Sequence, residues 1–296
     1  MTHPTIRGSL VALVTPFHED GSVNFEKLGE LVDFHLANGT DALVILGTTG
    51  ESATMSHEED NAVCEYVVKR VNHRIPVICG SGSNDTRTML EKSLSFERLG
   101  ADGLLLITPY YNKTNEEGMY LHFATVADAV KIPCILYNVP SRTGCAISEA
   151  NVARLARHPN IVGIKEASGN ISYAAKIARH LSPDFVMYSG NDDMIVPMLS
   201  LGASGVISVL ANIAPRETHR MVIDYLEGRT SAAREAQLRL LEVTNNLFIE
   251  VNPVPVKEAL NLMGMEVGGY RLPLTRMTDA HRDALRRSMQ AADLIA

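Results

Sequence analysis

One arrangement of residues repeats eight times along the first three-quarters of this 296-residue chain: an aliphatic run, a break rich in Gly, Ser, Thr or Pro, and an amphipathic helical stretch. The runs do not alternate between apolar and polar residues, which is typical of parallel strands covered on both faces. Such βαβ units close into an α/β barrel of the (β/α)8 TIM type, and an open doubly wound sheet is the alternative. The predicted strands are Leu10 to Val14, Ala42 to Leu46, Pro76 to Cys79, Gly103 to Ile107, Cys134 to Tyr137, Ile161 to Lys165, Phe185 to Tyr188 and Gly205 to Ser208.

The strand signal stops after Gly228, and the rest of the sequence predicts helices at 231–250, 256–263 and 279–294. No flexible linker precedes them. We therefore expect a (β/α)8 catalytic barrel at residues 1–228 and a C-terminal helical extension at residues 229–296. Within the barrel, Ser56 with Glu59 and Thr114 with Glu117 have the spacing of capping boxes, which begin helices.

Lys165 stands at the end of the apolar run Asn160-Ile-Val-Gly-Ile-Lys-Glu-Ala. Burial at the tip of a core strand disfavours the charged ammonium, so part of the side chain is available as the neutral amine that attacks a carbonyl. Imine chemistry is thus one interpretation. The other is a lysine that reaches out of the strand end and pairs with Glu166. In contrast, loop or helix-surface positions are expected for Lys113, Lys131 and Lys257.

The composition is that of an ordinary globular protein, with 46% hydrophobic and 21% charged residues. A net charge of -7 argues against a nucleic-acid partner, and no stretch approaches the roughly 20 apolar residues that span a bilayer. The N-terminus lacks the apolar region of a signal peptide, so a cytoplasmic location and small-molecule partners are expected.

No cofactor or metal is expected from the motifs of this sequence. The four cysteines, Cys64, Cys79, Cys134 and Cys145, form no Cys-x-x-Cys pair and have no histidines at metal-ligand spacing. A Walker loop, a Gly-x-Gly-x-x-Gly turn and a His-Glu-x-x-His pattern are all missing from the sequence. The cysteines are therefore interpreted as core residues of a reducing compartment.

Polar residues follow several of the predicted strands, and the carboxyl ends of barrel strands are where active sites form. The second strand ends in Gly47-Thr-Thr-Gly-Glu-Ser, the fourth in Thr108-Pro-Tyr-Tyr-Asn, the fifth in Tyr137-Asn-Val-Pro-Ser-Arg-Thr-Gly and the seventh in Ser189-Gly-Asn-Asp. Free N–H groups in the glycine turn can bind a carboxylate or phosphate, although such a turn is often only a turn.

The side chains at these strand ends have structural alternatives. Tyr137 could place its phenol beside the lysine amine as a proton shuttle, or be a buried tyrosine bonded to a backbone carbonyl. Arg142 could hold a substrate carboxylate, or simply be an exposed charge. Tyr110 and Tyr111 are adjacent, so their rings point in different directions and a single pocket takes only one easily.

Four segments together resemble the dihydrodipicolinate synthase family, the 4-hydroxy-tetrahydrodipicolinate synthases of the pyruvate-dependent class I aldolase and N-acetylneuraminate lyase superfamily. They are Gly47-Thr-Thr-Gly-Glu-Ser, Tyr137-Asn-Val-Pro-Ser-Arg-Thr-Gly, Ile164-Lys-Glu-Ala-Ser-Gly and Asn252-Pro-Val-Pro-Val-Lys. Thr49 and the Pro140-Ser-Arg-Thr sequence favour the synthases over the lyases, and the resemblance covers nearly the whole chain.

The resemblance implies a lyase that condenses pyruvate with L-aspartate-4-semialdehyde in the diaminopimelate route to lysine. It implies that Lys165 forms the imine, that Tyr137 relays protons through Thr48 to Tyr111 of a neighbouring subunit, and that Arg142 binds the semialdehyde carboxylate. Further pocket positions that it implies are Thr49, Gly190 and Ile207. The family is commonly a dimer of dimers, so a homo-oligomer is expected.

The resemblance also implies a possible site for feedback inhibition by L-lysine. Its positions are Ser52, Ala53, His57, Asp60, Gly82, Asn84, Thr88 and Tyr110. Thr88 stands where sensitive members have a glutamate that pairs with the α-ammonium, and Asp60 replaces a histidine near the side-chain amine. Weak or absent inhibition is therefore expected.

Two other functions remain open from the sequence. Another pyruvate-lysine aldolase, acting on a sugar acid, would use the same imine with a longer polyhydroxylated aldehyde. A non-catalytic barrel that binds keto acids would form an imine and consume no pyruvate.

Overall fold

The computed structural model describes residues 5–296, and in it eight parallel strands form one closed barrel in chain order. The predicted TIM-barrel fold is confirmed, and the open sheet is not found. No signal peptide is expected in the N-terminal segment. The first four residues of that segment lie outside the described range. The strands are β1 (Gly8–Ala12), β2 (Ala42–Ile45), β3 (Val77–Gly80), β4 (Gly103–Ile107), β5 (Cys134–Asn138), β6 (Ile161–Glu166), β7 (Val186–Ser189) and β8 (Gly205–Ser208).

Helices follow the strands around the barrel and continue after it. Those up to β8 are α1 (Phe25–Ala37), α2 (His57–Val71), α3 (Thr86–Arg98), α4 (Glu116–Ala129), α5 (Pro140–Thr143), α6 (Glu149–Leu155), α7 (Ile171–Ala178) and α8 (Ile195–Ser200). Those after β8 are α9 (Pro215–Leu226), α10 (Thr230–Arg239), α11 (Leu241–Asn246), α12 (Val254–Leu262) and α13 (Asp279–Ala291). Short 3-10 turns lie at Ser52–Thr54, Asp192–Met194 and Leu210–Asn212.

Several predicted boundaries differ from the structure for local reasons. The second strand ends at Ile45 because Leu46 has a φ of 57°, outside the extended region. The capping box at Ser56 is confirmed, whereas the one predicted at Thr114 is wrong, because Asn115 caps α4 by accepting a hydrogen bond from the Gly118 amide. The helix predicted over 231–250 is divided at Leu240 into α10 and α11.

The apolar residues form two separate cores. The larger one lies between the barrel and its ring of helices and continues under the C-terminal helices. The smaller one fills the barrel, where alternate residues of each strand point inward. Its members include Leu10, Ala12, Ala42, Val44, Ile78, Leu105, Ile135, Tyr137, Val186, Tyr188 and Ile207. A filled interior leaves space for a ligand only at the ends of the barrel.

The C-terminal helices pack on one another, with α13 against both α11 and α12. The segment between α12 and α13 is joined to the start of α2 by Arg271. Its guanidinium donates to Glu59 Oε2 at 2.8 Å and to the Thr54 carbonyl at 2.8 Å, and it lies 4.5 Å from the centre of the Phe17 ring.

Within residues 5–296, no helix is both long and apolar enough to cross a bilayer.

The hydrogen bond from Arg271 lowers the pKa of Glu59 from 4.5 to about 2, and the amide of Ser56 assists. A carboxyl group with a lowered pKa in the folded state stabilises the protein above its unfolded pKa and loses that contribution as pH falls through the folded value. We therefore expect Glu59→Gln to reduce the free energy of unfolding by about 1–2 kcal/mol at pH 7, after screening by solvent. The difference from wild type should shrink between pH 4.5 and 2.

Chemical denaturation at a series of pH values measures this difference. Glu235→Gln is the matched control, since Glu235 is exposed on α10 and has no ion pair with any of residues 5–296. A Glu59→Gln deficit that is the same at pH 7 and pH 2 would show that the Arg271 pair is not its cause.

Candidate active site

Lys165 lies in the barrel interior, near the carboxyl end of β6. The β5 and β6 register pairs it with Tyr137, and the β6 and β7 register pairs it with Tyr188. Its side chain is largely buried, since the residue is 6% exposed, and Nζ lies 4.5 Å from the centre of the Tyr137 ring. The amine is thus held against an aromatic face inside the barrel.

Glu166 is not the partner of Lys165. Its carboxylate points to the other side of β6, where it accepts a hydrogen bond from Asn138 Nδ2 at 2.7 Å and another from the Ser168 amide at 2.8 Å. Burial raises the pKa of Glu166, and these bonds act in the opposite direction. The interpretation of Lys165 as one half of a strand-end ion pair with Glu166 is therefore wrong.

The phenol of Tyr137 is free to act on a ligand. The residue is buried, and its hydroxyl makes no hydrogen bond with any group in the described part of the chain. A tyrosine kept for structure would bond to a backbone carbonyl, as Tyr188 does with Ile6 at 2.8 Å. The phenol of Tyr137 has no such bond.

A tight turn of residues 47–51 follows β2 and faces Lys165. Leu46 and Glu51, on either side of Gly47 to Gly50, both have left-handed backbone conformations, with φ of 57° and 55°. Gly80 of β3 permits this path, because a Cβ at that position would lie 2.3 Å from the Leu46 carbonyl oxygen. The backbone N–H groups of Thr48 and Thr49 have no acceptor among residues 5–296. Two free amides beside a buried amine can bind a carboxylate.

Side chains from other elements fix this turn in place. Thr15 Oγ1 donates to the Gly50 carbonyl at 2.7 Å, and Asn252 Nδ2 donates to Thr49 Oγ1 at 2.9 Å. The Asn252 carbonyl also accepts a hydrogen bond from Arg142 Nη2 at 3.3 Å. Asn252 therefore connects the turn to the one arginine that lines the same cavity.

Most of the predicted catalytic and substrate-binding residues line a cavity of about 160 Å³. It is smaller than the roughly 300–1,000 Å³ typical of pockets for drug-sized ligands, which suits a small acid. Gly190 is packed closely there, since a Cβ would come within 2.5 Å of Ala167 Cβ. The cavity is lined by Gly47, Thr48, Thr49, Tyr137, Ser141, Arg142, Lys165, Gly190, Asn191, Val209, Phe248 and Asn252, with five apolar residues from the strands and strand ends.

Two of the predicted site residues lie elsewhere in the structure. Tyr111 is 94% exposed, has a φ of 71° and lines neither this cavity nor the one beside it. Ile207 is fully buried in the barrel interior, and Val209, two residues later, is the residue of that strand end that lines the cavity. Within one chain, the cavity is thus built without Tyr111.

A buried carboxylate orders the end of β8. Asp192 accepts hydrogen bonds from the amides of Val209 at 2.9 Å and Leu210 at 3.0 Å. Burial raises the pKa of Asp192, while Ser208, the two amides and the Lys165 cation oppose the shift. This acid therefore holds the backbone beside the cavity.

A second cavity, of about 310 Å³, adjoins the first. Both cavities are lined by Gly47, Thr48, Leu105 and Tyr137. Of the predicted effector positions, those that line the second cavity are Ser52, Ala53, His57, Asp60, Gly82, Thr88 and Tyr110. Asn84 lies outside it, and its carbonyl accepts a hydrogen bond from Asn112 Nδ2 at 2.8 Å. The two cavities share a wall that contains Thr48 and Tyr137.

Lys92 of α3 is a residue of this second cavity that the sequence reasoning missed. Its Nζ lies 2.7 Å from Asp60 Oδ2, and both also bond to Ser52 Oγ. Burial raises the pKa of Asp60, and Lys92 opposes the shift. Residues 60 and 92 are joined only by packing of α2 against α3, so no local sequence signal indicates the pair.

A second pair was also missed, and here the sequence prediction is wrong. Lys257, expected on a helix surface, is fully buried in α12, and its Nζ lies 2.8 Å from Glu51 Oε1.

Among the described residues, no group of three or more His, Cys, Asp or Glu side chains could hold a metal ion.

Comparison with known proteins places this geometry in a family. The model of the dihydrodipicolinate synthetase family matches residues 5–292. A curated relative, the 4-hydroxy-tetrahydrodipicolinate synthase of Acetivibrio thermocellus, is 51% identical over 295 residues, which cover 100% of each chain.

Solved structures agree with these sequence matches. The dihydrodipicolinate synthase of Acinetobacter baumannii complexed with pyruvate has a TM-score of 0.96 at 43% identity, covering 98% of this chain and 100% of that one. The enzyme of Cyanidioschyzon merolae with lysine bound has a TM-score of 0.95 at 40% identity, covering 98% and 99%. This chain belongs to the dihydrodipicolinate synthetase family.

Proposed function

We propose that this protein condenses pyruvate with L-aspartate-4-semialdehyde to give 4-hydroxy-tetrahydrodipicolinate, the reaction for which its curated relatives are named. One observation supports this most: the largely buried amine of Lys165 lies beside the unbonded phenol of Tyr137, in a small cavity that also contains the free amides of Thr48 and Thr49. Imine formation with a 2-keto acid uses all three groups. The amides hold its carboxylate, the amine attacks its carbonyl, and the phenol moves protons.

The first half of the reaction makes a nucleophile from pyruvate. The neutral Lys165 amine adds to C2, and water leaves to give a protonated imine. This cation withdraws electrons from C3, which loses a proton and becomes the carbon nucleophile of an enamine. We assign the delivery and acceptance of these protons to Tyr137, with Thr48, which lines the same cavity, as the next residue of the relay.

The second half joins the two substrates. The enamine carbon attacks the aldehyde carbon of the semialdehyde, and the new alkoxide takes a proton. The amine of the semialdehyde then displaces Lys165 from C2, which closes the ring and restores the free enzyme. We assign to Arg142 the binding of the semialdehyde carboxylate, because its guanidinium lines the cavity and is anchored to the Asn252 carbonyl.

We propose that Tyr111 from a second copy of the chain completes the proton relay. The ring is 94% exposed in its own chain and its backbone is left-handed, so the side chain is accessible to a neighbouring subunit. We therefore propose a homo-oligomer, a dimer of dimers, in which Tyr111 enters the cavity of a neighbour. In the same proposal, residues 229–296 are a structural extension of the barrel, Gly190 lines the pyruvate site, and Ile207 packs in the barrel interior without lining it. The biosynthetic role implies a cytoplasmic enzyme.

Borohydride reduction in the presence of pyruvate should fix an adduct on Lys165, identified by peptide mass mapping. Lys165→Arg should retain the fold and lose nearly all turnover, because a guanidinium is not deprotonated at usable pH. Lys113→Arg is the control, since Lys113 is exposed on the loop after β4. An adduct on another lysine, or none, would refute the imine mechanism.

Tyr111→Phe should lower kcat by about 10²-fold or more and change the pyruvate KM little, as expected for the loss of a proton relay. Tyr137→Phe should do the same. In a mixed dimer of the two variants, one site contains both wild-type tyrosines if Tyr111 crosses the interface. Such dimers should therefore recover activity at half of their sites.

Subunit exchange between differently tagged variants, followed by tandem purification, yields the mixed dimers for this assay. Each variant exchanged with itself is the matched control. Purified mixed dimers that remain inactive would confine the relay to one chain.

Inhibition by L-lysine should be weak or absent. Thr88 offers no counter-charge to an α-ammonium, and Asp60 is already paired with Lys92 at 2.7 Å, so its charge is not available to a second amine. Burying an ammonium without its partner costs roughly 2–5 kcal/mol, which is about 30-fold or more in affinity.

Titrating L-lysine against the initial rate tests this expectation. Thr88→Glu should increase sensitivity, and the position accepts glutamate because it lies in the first turn of α3, where an acid is favourable. Thr88→Gln is the neutral control of the same shape. Half-inhibition of the wild type below millimolar lysine would contradict the assignment.

A further inference from the structure

The Glu51–Lys257 ion pair has no part in the mechanism above, yet it is the most deeply buried pair of charges in the described chain. Lys257 is 0% exposed, the side chain of Glu51 is 1% exposed, and Nζ lies 2.8 Å from Oε1. Burial lowers the pKa of Lys257, and the attraction of Glu51 opposes that shift. Charges removed from water in this way are retained only where their geometry is well compensated.

The surroundings of the pair supply that compensation. Lys257 Nζ lies 4.3 Å from the centre of the Phe17 ring and 5.5 Å from that of Tyr270. The second oxygen of Glu51 faces the Arg271 amide at 3.4 Å. The Glu51 carboxylate is therefore held from two directions by residues of the C-terminal region.

Glu51 is also the last residue of the turn whose free amides face Lys165. Its φ of 55° is unfavourable for a residue with a Cβ, and such conformations persist where the surroundings impose them. Removing the attachment of its side chain would allow the backbone to relax toward an ordinary conformation. The amides of Thr48 and Thr49, three and two residues earlier, would move with it.

A single segment of the chain, residues 252–257, touches this turn twice. Asn252, two residues before α12, bonds to Thr49 Oγ1 at 2.9 Å, and Lys257 of α12 bonds to Glu51. The two contacts lie on either side of Gly50. The position of the turn relative to Lys165 is thus set by α12 as well as by β2.

We propose that Glu51 and Lys257 are positioning residues for the keto acid: their buried ion pair fixes the Thr48 and Thr49 amides at the carboxylate site, so that the C-terminal extension sets pyruvate affinity. The inference rests on the proposed function. A pair that served stability alone would change the free energy of unfolding and leave pyruvate binding as it is.

The double variant Glu51→Gln/Lys257→Met separates these roles, because removing both buried charges together spares the protein an unpaired charge. We expect it to fold with a stability close to that of wild type. The pyruvate concentration for half-maximal borohydride trapping, and the pyruvate KM, should rise about tenfold or more. The kcat at saturating pyruvate should stay within about threefold, since Lys165 and Tyr137 are untouched.

Glu51→Asp provides a second test that keeps both charges and shortens one side chain by a methylene. It too should raise the half-saturating pyruvate concentration. The matched control is His219→Gln, which removes the 2.8 Å contact between His219 Nδ1 and Asp41 Oδ2, at the other end of β2. This control should leave the half-saturating concentration unchanged.

Wild-type half-saturation in both Glu51 variants would overturn the inference while leaving the proposed function intact. An equal rise in the His219 control would overturn it as well, because general loosening of the barrel would then be the cause. Absence of pyruvate trapping in the wild-type protein would overturn the proposed function and the inference with it.

Discussion

The parallel register between β5 and β6 is the constraint on which the site depends. It sets Tyr137 and Lys165 side by side, and the alternation of a closed barrel turns both side chains into the interior. A shift of one residue would point the amine at the helices, where Glu166 now lies between Asn138 and Ser168. Strand pairing therefore determines that the lysine amine lies in the barrel interior beside Tyr137, where it can react with a ligand.

The other half of the site is a strained turn, and it is held from outside its own strand. Leu46 and Glu51 adopt left-handed conformations that cost of order 1–3 kcal/mol each for residues with a Cβ. Gly80 makes room for the turn, and Thr15 holds Gly50. Asn252, just before α12, holds Thr49, and Lys257 of α12 holds Glu51. The C-terminal region thus contributes to the shape of a site whose sequence motifs lie mostly at the ends of barrel strands.

Much of this could be predicted from the sequence, because aliphatic runs and strand-end residues obey local rules. The strands, the strand-end Lys165 and the glycine turn follow from these rules. The same rules leave Arg142 open between a carboxylate ligand and an exposed charge, and in the structure it is an exposed residue that lines the cavity. The Asp60–Lys92 and Glu51–Lys257 pairs were not predicted, because each joins residues of two different elements. The sequence around a helical lysine does not indicate which distant residue it contacts. For Lys257 the helical pattern favoured an exposed position, and the packing of α12 on Phe17 and Tyr270 overrode it. Tyr111 was expected in the site, but its exposed ring lines neither cavity of the described residues, and no local sequence pattern indicates that exposure.

The wall shared by the two cavities has a thermodynamic consequence. Thr48 and Tyr137 line both, so an occupant of the larger cavity and a keto acid in the smaller one contact the same two side chains from opposite sides. If the first occupant shifts these side chains, it changes the affinity for the second by some factor. Linkage requires that the second change the affinity for the first by the same factor. With such coupling, the affinity of the larger cavity for its occupant depends on how much keto acid is bound at Lys165. An affinity measured for the larger cavity therefore has a defined value only at a stated occupancy of Lys165.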